Sequence, residues 1–314
     1  MSVGHGWGRG QVGPGARFLD PVVLQRIGSL ELVARSVVEG FMQGLHPSPF
    51  LGQSVDFAEH RPYTVGDDPR RVDWRVYART GRYYVKEFEA ETNTNFTVYM
   101  DTSRSMGFGE PVTKLDYGKF LAASLAFLAR RQGDRVGCIT FDRGVRDVVP
   151  CSARHLERVL LAISRAKAER SGDLAPALRD ATGRRGRKGI IAIVSDLYVE
   201  PEELRLPIRR LREMGNDVMV FHILHPAERE LPYEGPFTLE DMETGEVLPL
   251  VPKELKEEYR NLVTAHVAKV AKVLAGSGAD HILADTSRPL DQALFHYLLA
   301  RQYRKRSGRW ASPS

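Results

Sequence analysis

The pentapeptide Asp101-Thr102-Ser103-Arg104-Ser105 sets one carboxylate and three hydroxyls directly behind the apolar run FTVYM. A second acid, Asp196, closes the most apolar run of the chain, within IIAIVSDL. In an open α/β sheet, ligands collect beyond the carboxyl ends of the strands. Two such loops facing one another gather the carboxylates of Asp101 and Asp196 and the hydroxyls of Ser103 and Ser105 around one point. Hard oxygen donors of this kind suit Mg²⁺, or Mn²⁺ or Ca²⁺ in its place, with several waters retained. The competing reading is local, because Asp and Ser at such positions commonly cap the following turn. Spacing alone does not choose between them. Tyr198, Glu200 and Glu202 follow Asp196 and are candidates for the same rim.

A second constellation runs from Arg61 and Tyr63 through Asp67, Asp68 and Arg70 to Asp73 and Trp74. Arg, Tyr and Trp are favoured interface anchors, so the segment is a candidate partner-binding surface. Its plainer reading is a turn shaped by Gly66 and Pro69 and closed by Arg–Asp pairs.

Enzyme signatures are sparse. Position 103 is Ser where a haloacid-dehalogenase phosphotransferase needs a second Asp. There is no GxxxxGK[ST], no GxGxxG after a strand and no HEXXH. His222 and His225 stand three apart on an expected strand and point to opposite faces, so they cannot share a metal. His266 falls on the apolar stripe of a helix and reads as core. Asp67, Asp68 or Asp73 with Lys86 and Glu87 would be a nuclease set of no distinctive order.

The elements that must position these residues follow from periodicity. Asp20 and Pro21 open a helix with Ile27, Leu30, Ala34, Val37 and Phe41 on one stripe. Segment 82–91 alternates like a strand. From Phe96 onward strands and helices alternate: strands at 95–100, 135–141, 145–149, 190–194, 218–224 and 281–284, and helices at 114–131, 153–167, 174–181, 201–214, 253–274 and 289–303. That rhythm predicts an α/β fold, a doubly wound and mainly parallel sheet covered on both faces. Segment 226–252 interrupts it with a hairpin turning near Glu243 to Gly245. The helix after it is expected to bury Leu255, Tyr259, Leu262, His266 and Val273.

The expected organisation is a disordered glycine-rich tail (1–18), an N-terminal helix plus β-rich segment (19–94), the α/β domain with its insertion (95–303) and a basic tail (304–314). With 314 residues, 42% hydrophobic and 27% charged, the chain has an ordinary core. No apolar stretch suffices for a membrane span and no signal sequence is seen, so a cytoplasmic location is expected. Two cysteines, Cys138 and Cys151, exclude a disulfide framework. The net charge of +5 comes from two acid-free runs: Arg184, Arg185, Arg187 and Lys188, and Arg301, Arg304, Lys305, Arg306 and Arg309. Removing these nine of 45 basic residues leaves 36 against 40 acidic ones. A solvated loop and tail is the plain reading; binding of nucleic acid is the alternative. Tyr303 and Trp310 are the available stacking aromatics.

DTSRSM after a strand resembles the DxSxS signature of von Willebrand factor A domains, and the later SDL matches their second acidic position. The stretch GQSVDFAEHRPYTVGDDPRRVDWRVYARTGRYYVKEFE, Gly52 to Glu89, closely resembles the signature of the bacterial family called domain of unknown function 58. That resemblance covers roughly Leu24 to the end. It implies a von Willebrand A-like fold and a weak metal-ion-dependent adhesion site of Asp101, Ser103, Ser105 and Asp196, completed by a partner's acid. It also implies a MoxR-type AAA+ ATPase as partner, with an unknown client protein to be assembled or matured, and a non-enzymatic adaptor role. Membrane insertion is not expected, because no apolar stretch is long enough, which sets the chain apart from membrane-anchored relatives. The intermediate loop departs from the pattern: Gly172, in Arg170-Ser171-Gly172-Asp173-Leu174, stands where the adhesion site has Thr. The alternatives are a nucleic-acid-associated protein and a metal-dependent hydrolase whose turnover needs Asp101 or Asp196.

Overall fold

A computed structural model describes residues 20–44, 59–64, 72, 74–87, 94–172, 174–182, 188–232, 237–242, 247–250 and 252–306. The glycine-rich tail, much of the 61–74 signature and the end of the basic tail lie outside these.

The apolar runs form the strands of a six-stranded sheet. β3 (Asn95–Asp101) lies between β4 (Arg135–Phe141) and β6 (Gly189–Ser195). Beyond β6 come β7 (Asp217–Leu224) and β10 (Asp280–Asp285), and beyond β4 comes β5 (Val145–Ser152). All pairings are parallel except β4 with β5. The departure from a wholly parallel sheet is local: β4 and β5 are joined by the short turn at 142–144, and so short a link permits only an antiparallel return.

Side chains alternate across the sheet and make two cores. Phe96, Val98 and Met100 of β3 face the same layer as Ile190, Ala192 and Val194 of β6. That layer is covered by α4 (Lys114–Arg131), α5 (Leu156–Arg165) and α10 (Asp291–Arg306). Tyr99, Ile191 and Ile193 face the opposite layer, under α6 (Leu174–Thr182), α7 (Arg205–Glu213) and α9 (Pro252–Gly276). The fold is thus α/β with helices on both faces, as the alternation predicts.

Helix α4 is buried nearly all round because it carries a second layer, α2 (Leu30–Gly44), on its outer side. Thr113 caps α4, its hydroxyl accepting from Asp116 N at 3.0 Å, and Arg130 and Arg131 suit its last turn. The single N-terminal helix expected from Asp20 is two pieces. Asp20 does cap α1 (Pro21–Leu24), accepting from Val22 N at 2.9 Å, but the chain breaks before α2 starts at Leu30. Gly28 lies in that break, where helix propagation is weakest.

Two further sheets of two antiparallel strands each are separate from the main one: β1 (Glu59–Pro62) with β2 (Tyr84–Glu87), and the hairpin β8 (Phe237–Glu240) with β9 (Val247–Leu250). α3 (Trp74–Thr80) precedes β2. The β8–β9 hairpin is preceded by α8 (Pro226–Glu230), a short helix absent from the periodicity reading. α9 buries Val270, Val273 and Leu274, whereas Leu262 is 63% exposed. Of the expected stripe, Val273 is buried, Tyr259 and His266 are half-buried, and the Leu255 side chain lies outside those described. α10 continues to Arg306, three residues into the segment expected as a tail.

Candidate functional site

Strand order reverses at β3: the chain goes from β3 to β4 on one side and returns to β6 on the other. Loops leaving β3 and β6 part there, and the crevice between them is where open α/β sheets bind ligands. Asp101 is the last residue of β3, and Asp196 follows the last residue of β6. Met100 pairs with Val194, so Asp101 falls opposite Ser195 and Asp196 comes one position further on, both acids at this switch point.

Asp101, Ser103, Ser105 and Asp196 line one cavity, and all are buried. Asp101 Oδ1 accepts from Ser103 N at 2.8 Å, the Asx turn of the competing local reading. Its Oδ2 accepts from Ser195 Oγ at 2.6 Å, and Ser195 Oγ in turn accepts from Leu197 N at 3.0 Å. That last bond helps hold Leu197 at φ 53°, a left-handed conformation unusual for a leucine. The hydroxyls of Ser103 and Ser105 lie 3.1 Å apart. Burial first, and then the neighbouring Asp196 charge, push the Asp101 carboxyl up to about 7. Two buried acids lodged together thus create a demand for positive charge.

Part of that demand is met from within. Lys114, the first residue of α4, is wholly buried and donates to Asp196 Oδ2 at 2.7 Å and to Glu228 Oε1 at 2.5 Å. Burial opposes its charge, yet Asp196 and then Glu228 outweigh that, and its pKa is raised. The Tyr198 ring lies 4.7 Å from its ammonium, and the Tyr198 hydroxyl donates to Glu228 Oε1 at 3.3 Å. Glu228 is fixed by a capping box at α8: its Oε2 accepts from His225 N at 2.9 Å, and Pro226 takes the first helical position.

Lys114 and Glu228 escaped the reading of the sequence, although each left a signal. A lysine at the first position of an otherwise apolar helix opposes the helix dipole, so it needs a reason to be there. His225-Pro226-Ala227-Glu228 has the proline and N3 acid of a helix start. Tyr198 does line the rim, but Glu200 and Glu202 do not serve the crevice: each pairs with a cation, Lys269 and Arg205 respectively.

Asp101, Ser103, Ser105, Gly172, Asp196 and Tyr198 line a cavity of about 20 Å³, room for roughly one water or ion. Asp101, Ser103 and Ser105 fit a hard cation that keeps waters. Gly172 adds no oxygen donor of its own side chain, and its place is spatially fixed: a Cβ there would lie 2.4 Å from Ser103 Cβ. Ser103 bridges the backbone of Arg170, which draws this loop against β3's end. Asp196 is shared with Lys114, so a cation here has Asp101 as its one carboxylate without an ion-paired lysine. That set fits weak binding.

Of the second constellation, Asp67, Asp68, Arg70 and Asp73 lie outside the described residues, and Arg61 is placed only as a backbone position on β1. Tyr63 and Trp74 belong to an aromatic group. Tyr77 stacks on Tyr83 at 4.4 Å, Trp74 meets both edge-on, and Tyr63 lies 6.3 Å from Tyr83. Trp74 is 60% exposed. His222 is buried and meets His281, its Nδ1 3.2 Å from His281 Nε2, rather than His225. Cys138 is buried and Cys151 half-buried, neither in a disulfide. Among the described residues, no helix is long and apolar enough to cross a membrane.

Comparison with known proteins places this geometry. The model of the family described as "Protein of unknown function DUF58" matches residues 59–269. The chain is 30% identical over 276 residues to "Uncharacterized protein Mb1516" of Mycobacterium bovis, covering 86% of each chain. Among solved structures it is similar to the conserved hypothetical protein BatB from Bacteroides thetaiotaomicron, with 18% identity, a TM-score of 0.45, and coverage of 66% of this chain and 98% of that one. It is also similar to the SpRpn10 VWA domain, with 11% identity, a TM-score of 0.38, and coverage of 65% and 94%.

Proposed function

The chain belongs to the DUF58 family, and on that footing we propose that it is a non-enzymatic protein-interaction module whose binding point is the crevice between Asp101 and Asp196. The observation that carries the reading is the cavity of about 20 Å³ at the switch point. It has room for one ion or water but not for a metabolite, so whatever the site recognises must reach it from outside. Asp101, Ser103 and Ser105 would hold a divalent cation, and the cation would supply an open position for a carboxylate of the partner. Asp196 stays with Lys114 and contributes long-range negative potential. Because the protein offers so few donors, affinity for the cation arises mainly in the complex.

By analogy with the family, the partner is a MoxR-type AAA+ ATPase, and the pair assembles or matures a client protein. The exposed Trp74 and its aromatic group supply a second contact surface, since such rings are favoured anchors. Retention from native lysate on the immobilised chain, with Mg²⁺ or with EDTA and with Asp101→Ala as control, tests the reading. An ATPase retained only by metal-loaded wild type supports it. Retention indifferent to metal keeps the module and discards the cation, and absence of any ATPase overturns the partnership.

A further inference from the structure

Beside the crevice, and sharing the loops that line it, lies an open pocket of about 330 Å³ in which four of the seven lining residues are arginines. Arg104, Arg143, Arg146 and Arg170 line it with Asp142 and Glu169. Both acids are engaged, Asp142 by Arg146 and Glu169 by Lys167 at 3.1 Å. Among the described residues, Arg104, Arg143 and Arg170 pair with no carboxylate; Arg104 donates only to the Glu169 backbone carbonyl at 3.4 Å. Four arginines thus line one concavity against two acids, and among the described residues three of them have no carboxylate partner. Arg104 stands between the two crevice serines, and Arg170 and Ser171 run directly into Gly172. The backbone bond from Arg104 N to Arg170 O, 2.7 Å, ties these two walls together.

We infer that this pocket is the second half of the partner-binding site and takes the side chains of an acidic peptide segment, one carboxylate entering the crevice and its neighbours pairing with Arg104, Arg143 and Arg170. The inference rests on the proposed role of the crevice. Guanidinium matches carboxylate in two parallel hydrogen bonds, which gives the pocket direction as well as charge. A nucleic-acid strand is a poorer match: the lining includes no aromatic ring for base stacking, and two acids stand in its wall.

The test uses the full chain and a fluorescein-labelled peptide of six glutamates, with its glutamine counterpart as control, read by anisotropy. The glutamate peptide is expected to bind, the glutamine peptide not. Joint Arg104→Gln, Arg143→Gln and Arg170→Gln should weaken it at least about tenfold without moving the melting temperature. Equal binding by the triple variant overturns the pocket. So does preference for inorganic phosphate or a single-stranded oligonucleotide over the peptide. If the triple variant still retains the same Mg²⁺-dependent partner from lysate, the pocket fails while the crevice reading stands. If wild type binds the peptide but retains no partner, the crevice reading fails on its own.

Discussion

Lys114 Nζ lies 2.7 Å from Asp196 Oδ2 with neither side chain reached by solvent, so the acid expected to complete a cation site already has a cation of the protein's own. The same ammonium holds Glu228, and one lysine thereby joins the start of α4, the loop after β6 and the short helix α8.

Lys114→Met should leave two buried carboxylates uncompensated and destabilise the chain by about 3–5 kcal/mol. Urea unfolding measures this. Adding Asp196→Asn and Glu228→Gln should recover most of the loss. A Lys114→Met protein as stable as wild type would contradict the described network.

Gly172→Thr supplies the hydroxyl that the adhesion-type pattern has, yet it should not tighten Mg²⁺ binding. Its Cβ would meet Ser103 Cβ at 2.4 Å and push the loop off β3's end. The expected cost is about 1–3 kcal/mol, with Mg²⁺ affinity by calorimetry unchanged or weaker.

His222 makes stability depend on pH. Burial first, then His281 and His266, hold it down from 6.5 to about 3. The unfolded chain therefore binds more protons than the folded one across that window, and stability falls as pH drops from 6.5 toward 3. Above 6.5 this contribution is complete. His222→Asn should flatten the acid-side fall in melting temperature between neutral pH and about 5, and an unchanged slope would refute it.

Trp74→Ala should leave stability within about 0.5 kcal/mol of wild type, since the ring is largely exposed. Loss of partner retention beyond about 2 kcal/mol would mark it as an anchor; equal retention would assign the aromatic group a purely local role.

Much of the fold was legible because its signals are periodic. The bounds of α4 and β4 follow from the apolar pattern, which also puts Asp101 and Asp196 at strand ends, whereas their lying together depends on β3 and β6 being neighbours in the sheet. The loop-to-loop partners were not legible. Nothing local says that Lys114 turns inward to an acid 82 positions away, because that depends on how far α4's first turn sits from β6. Equally, the arginines around Asp142 and Glu169 are scattered in sequence and meet only once β4 and the 166–172 segment flank β3.

The charge lodged at the head of α4 also governs how the chain may be shortened. Segment 226–252 looks like a removable insertion, but its first turn holds the acid that Lys114 needs. A deletion beginning at Pro226 would strip that acid away, whereas one beginning after Leu231 would spare it. In any attempt to transplant the crevice onto another sheet, α8 has to travel with the loops as part of the graft.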